Sequence, residues 1–337
     1  MKEYLEKIIA GEDLTFEESY AAMTKIMNGN VNNSHLAAFL IALKSKGETA
    51  EEIAGSVQAM RDKSIKINCS DNNVIDVCGT GGDNSGSFNI STATAFAAAG
   101  AGVKVAKHGN RSISSKCGSA DVLQELGVNI NLSPTQAEEA LNKLGIAFLF
   151  APLYHPAMKY AAPVRKELGI KTIFNMLGPL TNPVGVKKQI IGTFNLNAAK
   201  TMSETAKYLD LERVCFLCSN DKYDEINLGD STTIYEYNKG SKVKNYVISN
   251  ATFNYPLVDE SQIKGDTSEI NAKLILDVFE NKTRNGAFHT IAANTALALY
   301  CAGKSDNLDE CTEIAEESIL SGAALRKLNE LKAYSNK

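Results

Sequence analysis

The sequence has no apolar run long enough to cross a membrane as a helix. A leader is not expected either. Met1 to Ala10 mixes acidic with basic residues and is interrupted at Gly11, lacking the apolar centre of a signal peptide and the acid-poor composition of a transit peptide. A cytoplasmic location without membrane partners is the expectation. Excess positive charge is also missing: the formal net charge is -4, so nucleic acid is not an expected partner and any anion site must be local. The seven cysteines are odd in number and scattered, which argues against a disulfide framework. Only Cys215 and Cys218 have metal or redox spacing; they lie in the apolar run VCFLC, and no second pair or nearby His completes a zinc set. Internal repeats and low-complexity segments are absent. What remains is 337 residues, 44% hydrophobic and 22% charged, an ordinary globular composition for one large domain or two.

The chain is organised around Asp76 to Thr92, DVCGTGGDNSGSFNIST. An apolar strand-like run passes through Gly79, Gly81, Gly82 and Gly86 into Ser91 and Thr92, which open a small-residue helix. Glycines reach positive φ and leave their N–H groups uncovered, so successive amides can converge on phosphate oxygens. The helix N-terminus adds donors and the positive end of a dipole. A P-loop would need Lys-Ser/Thr after the last glycine, and a dinucleotide turn would need G-x-G-x-x-G; neither is present. A plain strand-to-helix turn needs the glycines but not Asp83, Asn89, Ser91 and Thr92.

Lys107 to Asp121, KHGNRSISSKCGSAD, follows a second apolar run and holds three cations with His108 and Asn110. Cations there should lower the Cys117 thiol pKa, although no paired base accompanies it. The repeated order of strand, polar loop and helix predicts two neighbouring loops at the carboxyl edge of a parallel sheet, where ligands bind. Five apolar runs, at 74–78, 103–106, 147–150, 189–192 and 213–218, alternate with helical patterns and predict a mostly parallel sheet flanked by helices. Asp224-Glu225 follows the last of them. Adjacent carboxylates are more often merely solvated, but at a strand's carboxyl end they suit magnesium.

The first seventy residues read as helical. Thr15-x-x-Glu18 and Thr49-x-x-Glu52 are capping boxes, and Gly29 and Gly47 suit helix ends. Leu36, Phe39, Leu40 and Leu43 form an apolar stripe expected to be partly exposed on a lone subunit and to make a homodimer contact. His155 to Gly169 predicts a helix entered at Pro156 and kinked or restarted at Pro163. Asn175 to Pro183 carries too many breakers to continue a helix and is expected to be a hinge or linker.

GTGGD, FNIST, KHGNRS, GSADVL, HPAMKYAAPVRKELG and TIFNMLGPLTNP, in this order, resemble the signature of the anthranilate phosphoribosyltransferase family. The resemblance implies an α/β fold: a small all-helical domain (1–70 plus about 160–183) making the dimer contact, and a larger domain (71–159 plus 184–337) with a mostly parallel central sheet. It implies transfer of phosphoribose to anthranilate, with two magnesium ions per subunit. Phosphoribosyl diphosphate would be held by Gly79, Gly82, Asp83, Ser87, Asn89, Ser91, Thr92, Lys107 and Ser119. Anthranilate would meet Gly79, His108, Asn110, His155, Arg165 and Pro179, with Arg165 on its carboxylate. Lys107, His108 and Arg165 would serve catalysis, and Ser91, Asp224 and Glu225 would hold metal. Ser87 stands where the family often has Thr, and Asn220-Asp221-Lys222-Tyr223 replaces a Gly-rich run before Asp224. The fold is shared with pyrimidine nucleoside phosphorylases and with a nucleic-acid-binding relative; the acidic balance counts against the latter.

Overall fold

A computed structural model describes residues 1–82, 85–112 and 116–337. Four helices come first: α1 Lys2–Ile9, α2 Phe16–Met27, α3 Asn33–Lys46 and α4 Ala50–Lys63. Both expected capping boxes form: the Thr15 and Thr49 hydroxyls accept from the Glu18 and Glu52 N–H groups at 3.2 and 3.3 Å. Gly47 closes α3, and Gly29 lies just beyond α2. Alternation then begins, with β1 Val74–Gly79, α5 Ile90–Gly100, β2 Lys104–Gly109, α6 Ser119–Glu125, α7 Pro134–Leu144 and β3 Ile146–Phe150. The chain continues through α8 Ala151–Tyr154, α9 Ala162–Leu168, α10 Ile173–Leu177, β4 Lys188–Gly192, α11 Leu196–Thr205 and β5 Arg213–Ser219. A hairpin, β6 Thr232–Asn238 and β7 Lys244–Ile248, precedes α12 Ser268–Asn281, α13 Gly286–Ala302, α14 Leu308–Leu320 and α15 Ala323–Ser335.

The strands form one sheet in the order β3-β2-β1-β4-β5-β6-β7, parallel from β3 to β5 and antiparallel in the hairpin. The chain lays β2 and β3 on one side of β1, then returns to place β4 and β5 on the other. That reversal puts a crevice outside the carboxyl ends of β1 and β4. Strand residues alternate between two apolar clusters, Cys215 and Leu217 joining one while Val214 and Phe216 join the other. The first cluster packs α5 and α13, both rich in alanine, against the sheet. The second joins the N-terminal helices, α9, α10 and α11 to the opposite face.

Two expectations need correction. Leu36, Phe39, Leu40 and Leu43 are at most 1% exposed in the single chain, because α1, α9 and α10 close over α3. The stripe is therefore core and cannot make a subunit contact. Residues 173–181 do continue helically, as α10 followed by a 3-10 turn at Gly178–Thr181, and Pro179 to Asn182 are buried. Asn182 explains this: its Nδ2 donates to Asp76 Oδ2 and to the Ala106 carbonyl, both at 2.8 Å, tying the segment to the sheet. The β6–β7 hairpin was not anticipated. Pro163 behaves as expected, restarting the chain as α9 after the 3-10 turn Pro156–Tyr160; in a first turn its missing N–H costs nothing.

Candidate active site

The crevice is shaped by two bare strand ends. Gly79 of β1 pairs in register with Gly192 of β4. A Cβ on Gly79 would lie 2.3 Å from Asp224 Oδ2, and one on Gly192 would lie 1.5 Å from the Asp224 carbonyl oxygen. Glycine at both positions therefore lets the loop after β5 cross the crevice, where Gly81 N donates to Asp224 Oδ2 at 3.3 Å. Sequence reasoning missed Gly192. The loop is anchored elsewhere by Asn294, which accepts from Ile226 N at 3.0 Å and donates to its carbonyl at 3.1 Å. Asn220 and Asp221, in place of glycines, both take φ of 50°. These two residue types tolerate the left-handed region best, so the loop before Asp224 keeps a tight turn without glycine.

Gly81, Gly82 and Gly86 have φ of 65°, 71° and 74°, as an anion-cradling loop requires. Asp83 lies outside the described residues. Asn89 stands at the N-cap position of α5 without a side-chain cap bond, and Ser91 and Thr92 occupy the helix's first turn. Thr92 is fully buried, so it supports the turn from beneath. Ser87 is partly exposed, its hydroxyl 2.9 Å from that of Ser85. Lys107 is buried below the loop, donating to the Val77 carbonyl at 2.7 Å and to Ser91 Oγ at 3.1 Å. Its ammonium retains a third N–H without a hydrogen-bond partner among the described residues. Burial lowers its pKa, opposed by the charges of Asp76, Cys78 and Asp224. Asp76, another residue given no role from sequence, is fully buried and accepts from His108 N at 3.2 Å. Burial pushes its carboxyl up to about 6 despite Lys107 and Asn182. At neutral pH it is the buried counter-charge of Lys107.

The second loop is less positive than expected. Arg111 pairs with Asp121 at 2.6 Å and Lys116 with Asp266 at 2.5 Å, leaving Lys107 as its inward cation. The Cys117 thiol is pushed up to about 11 by burial and then by Asp121, the reverse of the sequence expectation. Ser119 Oγ donates to the Asn110 carbonyl at 3.2 Å, and Gly109 leaves room for that hydroxyl.

His108 and His155 are buried with ring centroids 5.1 Å apart. They hydrogen-bond the Gly178 and Thr181 backbones respectively, on either side of buried Pro179. Burial drives their pKa values down to about 3 and about 4. Both are therefore neutral at pH 7, and their Nε2 atoms have no partner among the described residues. An imidazole titration by NMR is expected to show both flat between about pH 5 and 8, against midpoints near 6.5 for unperturbed rings. A midpoint near 6.5 for either would contradict this burial. The unfolded chain takes up these protons first, so the pair's linkage lowers stability as pH falls below about 6.5, by up to ~1.4 kcal/mol per unit for each ring. Asp76 acts oppositely between about 3.8 and 6, where the folded state holds the proton.

Arg165 lies on α9, mostly buried, with its guanidinium 5.0 Å from the centre of the Phe174 ring. Burial lowers its pKa, and no carboxylate lies within ion-pair distance among the described residues. Such a cation is costly unless an anion joins it.

The described residues contain no group of three or more His, Cys, Asp or Glu able to cage a metal. Asp224, Glu225 and Ser91 carry the hard oxygen donors that could hold a metal. Magnesium suits this arrangement, since it takes one or two carboxylates and completes its shell with phosphate and water.

Residues 2–64 match the helical bundle domain of the glycosyl transferase family, and residues 71–325 match its a/b domain. Anthranilate phosphoribosyltransferase of Alkaliphilus metalliredigens is 45% identical, covering 98% of this chain and 97% of that protein. That of Persephonella marina is 41% identical over 99% of each. The crystal structure of the Thermus thermophilus enzyme superposes with a TM-score of 0.92 at 36% identity, covering 99% of both chains. The Saccharomyces cerevisiae enzyme in complex with PRPP and Mg gives 0.91 at 26% identity, covering 99% of this chain and 97% of that one. Similarity of this extent runs through both the helices and the sheet, and the chain belongs to the anthranilate phosphoribosyltransferase family.

Proposed function

We propose that this protein transfers 5-phosphoribose from phosphoribosyl diphosphate to the amine of anthranilate, releasing diphosphate. The observation that carries the reading is Arg165, a mostly buried guanidinium without a carboxylate partner among the described residues. A planar fork of donors matches the carboxylate of the aromatic amine.

As the C1–O bond breaks, the sugar gains cation character and the diphosphate gathers negative charge. Gly79, Gly82, Asp83, Ser87, Asn89, Ser91, Lys107 and Ser119 hold that diphosphate substrate, with Thr92 supporting the first turn of α5. Amides of the glycine loop and the Lys107 ammonium stabilise the developing charge without rearranging. Magnesium, two ions per subunit held by Ser91, Asp224 and Glu225, would supply Lewis-acid neutralisation of the diphosphate when bound. Gly79, Asn110, Pro179, His108 and His155 frame the aromatic ring. The amine is already neutral at pH 7, so histidines with pKa values of about 3 and 4 need not remove a proton before attack. Their unpartnered Nε2 atoms accept hydrogen bonds from the amine and orient it behind C1.

In this reading the chain divides into a helical domain (1–70 plus about 160–183) and an α/β domain (71–159 plus 184–337), and it works as a cytoplasmic homodimer. The helical domain's subunit contact uses its outer surface, where Ile9 is 74% exposed, in place of the buried stripe. Sedimentation equilibrium should return twice the chain mass, and a concentration-independent monomer would remove the dimer. Loss of anthranilate fluorescence with phosphoribosyl diphosphate and magnesium, matched by equimolar diphosphate release, tests the activity. No fluorescence change, with turnover of a pyrimidine nucleoside and phosphate instead, would overturn it.

A further inference from the structure

We propose that Asn271, on α12 and far from the glycine loop in sequence, is a positioning residue that fixes which way the Asn89 amide points and so sets the polarity of the diphosphate cradle. The inference rests on the reading above, in which Asn89 faces the diphosphate substrate.

Residues 263–271 clasp both ligand loops. Gly265 N donates to the Gly86 carbonyl at 2.8 Å, and Phe88 N donates to the Ile263 carbonyl at 3.0 Å. A Cβ on Gly265 would lie 2.6 Å from Phe88 Cα, so the two backbones approach as closely as a glycine allows. Asp266 reaches the second loop through Lys116 at 2.5 Å.

Within this clasp the amide orientations follow from one fixed donor. Asp266 N–H can only donate, and its partner at 2.9 Å is Asn271 Oδ1. The other end of the Asn271 amide is therefore Nδ2, which donates to Asn89 Oδ1 at 2.9 Å. The Cys117 thiol, 3.3 Å away, donates to the same oxygen. With its oxygen engaged twice, Asn89 directs Nδ2 the other way, one N–H going to the Cys117 carbonyl at 3.3 Å. The second N–H has no partner among the described residues and is the one that faces a ligand. Phosphate oxygens only accept, so a flipped Asn89 would oppose oxygen to oxygen. Asn271 is 2% exposed, which keeps water from replacing its donor.

Asn271→Asp keeps the side-chain volume and the acceptor for Asp266 N but removes the donor to Asn89. We expect its Kd and KM for phosphoribosyl diphosphate to rise about tenfold or more, the scale of a hydrogen bond to a charged group, with the anthranilate KM within about twofold. Asn271→Ser separates the lost donor from the added charge and should move the same way. It also decides the matter if the Asp variant does not fold. Calorimetric titration with phosphoribosyl diphosphate and magnesium, beside thermal melts, gives the readout. Unchanged affinity in a folded variant, or equal losses for both substrates in step with melting temperature, would overturn the clasp. If the wild type itself fails to bind phosphoribosyl diphosphate, the functional reading falls and the clasp with it; wild-type binding with unaltered variants removes the clasp alone.

Discussion

Asp224→Ala combined with Glu225→Ala is expected to lower magnesium-dependent turnover by roughly a hundredfold to a thousandfold, the scale seen when a preorganised electrostatic stabiliser is removed. The fold should survive. The loop carrying both residues is held by the Asn294 amide and by the hydroxyl of Ser219, which donates to the Glu225 carbonyl. Those bonds use the backbone of Glu225 and of the neighbouring Ile226, so truncation leaves them intact. The loss should appear in kcat at saturating magnesium, since charge on the leaving diphosphate is greatest in the transition state. Full activity of the double variant at saturating magnesium would remove the pair from the site.

The parts of this architecture written in local sequence could be read directly. The apolar runs became β1 to β5 with ends shifted by at most three residues, because buried parallel strands are nearly continuous hydrophobic runs. The capping boxes formed because each is closed by residues three apart. What the sequence hid depends on distant partners. Leu36 to Leu43 reads as a one-sided stripe whatever covers it, and beside α1 the cover comes from α9 and α10, more than a hundred residues later. Residues 232–236 do alternate, buried Thr232, Ile234 and Glu236 with half-buried Thr233 and Tyr235, but a buried Glu236 disguised the pattern. Arg213 at 3.0 Å and Tyr246 at 3.0 Å satisfy that carboxylate, and neither is adjacent in sequence. Gly192, Asp76 and Asn271 went unnoticed for the same reason. Each matters through a contact made across the crevice: an absent Cβ, a buried counter-charge, an amide aimed by an amide.

The two half-sites should also be separable. Arg165 belongs to α9, and none of its side-chain contacts among the described residues reaches the glycine loop, so Arg165→Ala should spare affinity for phosphoribosyl diphosphate. Its cost falls on anthranilate. Removing a buried partner of a carboxylate is expected to lower kcat/KM for anthranilate by about 2 to 5 kcal/mol, through a raised KM and some loss of kcat from misplacement of the amine. Weakened binding of the diphosphate substrate alone would mean that the half-sites are assigned the wrong way round.

The central claim, that Arg165 selects a carboxylated aromatic amine for phosphoribosyl transfer, is tested most directly by comparing anthranilate with aniline in the wild-type protein and in Arg165→Ala. The wild type should favour anthranilate in kcat/KM by about a hundredfold or more, and the variant should lose most of that preference by slowing on anthranilate while holding its rate on aniline. Equal discrimination by the two proteins would contradict the account.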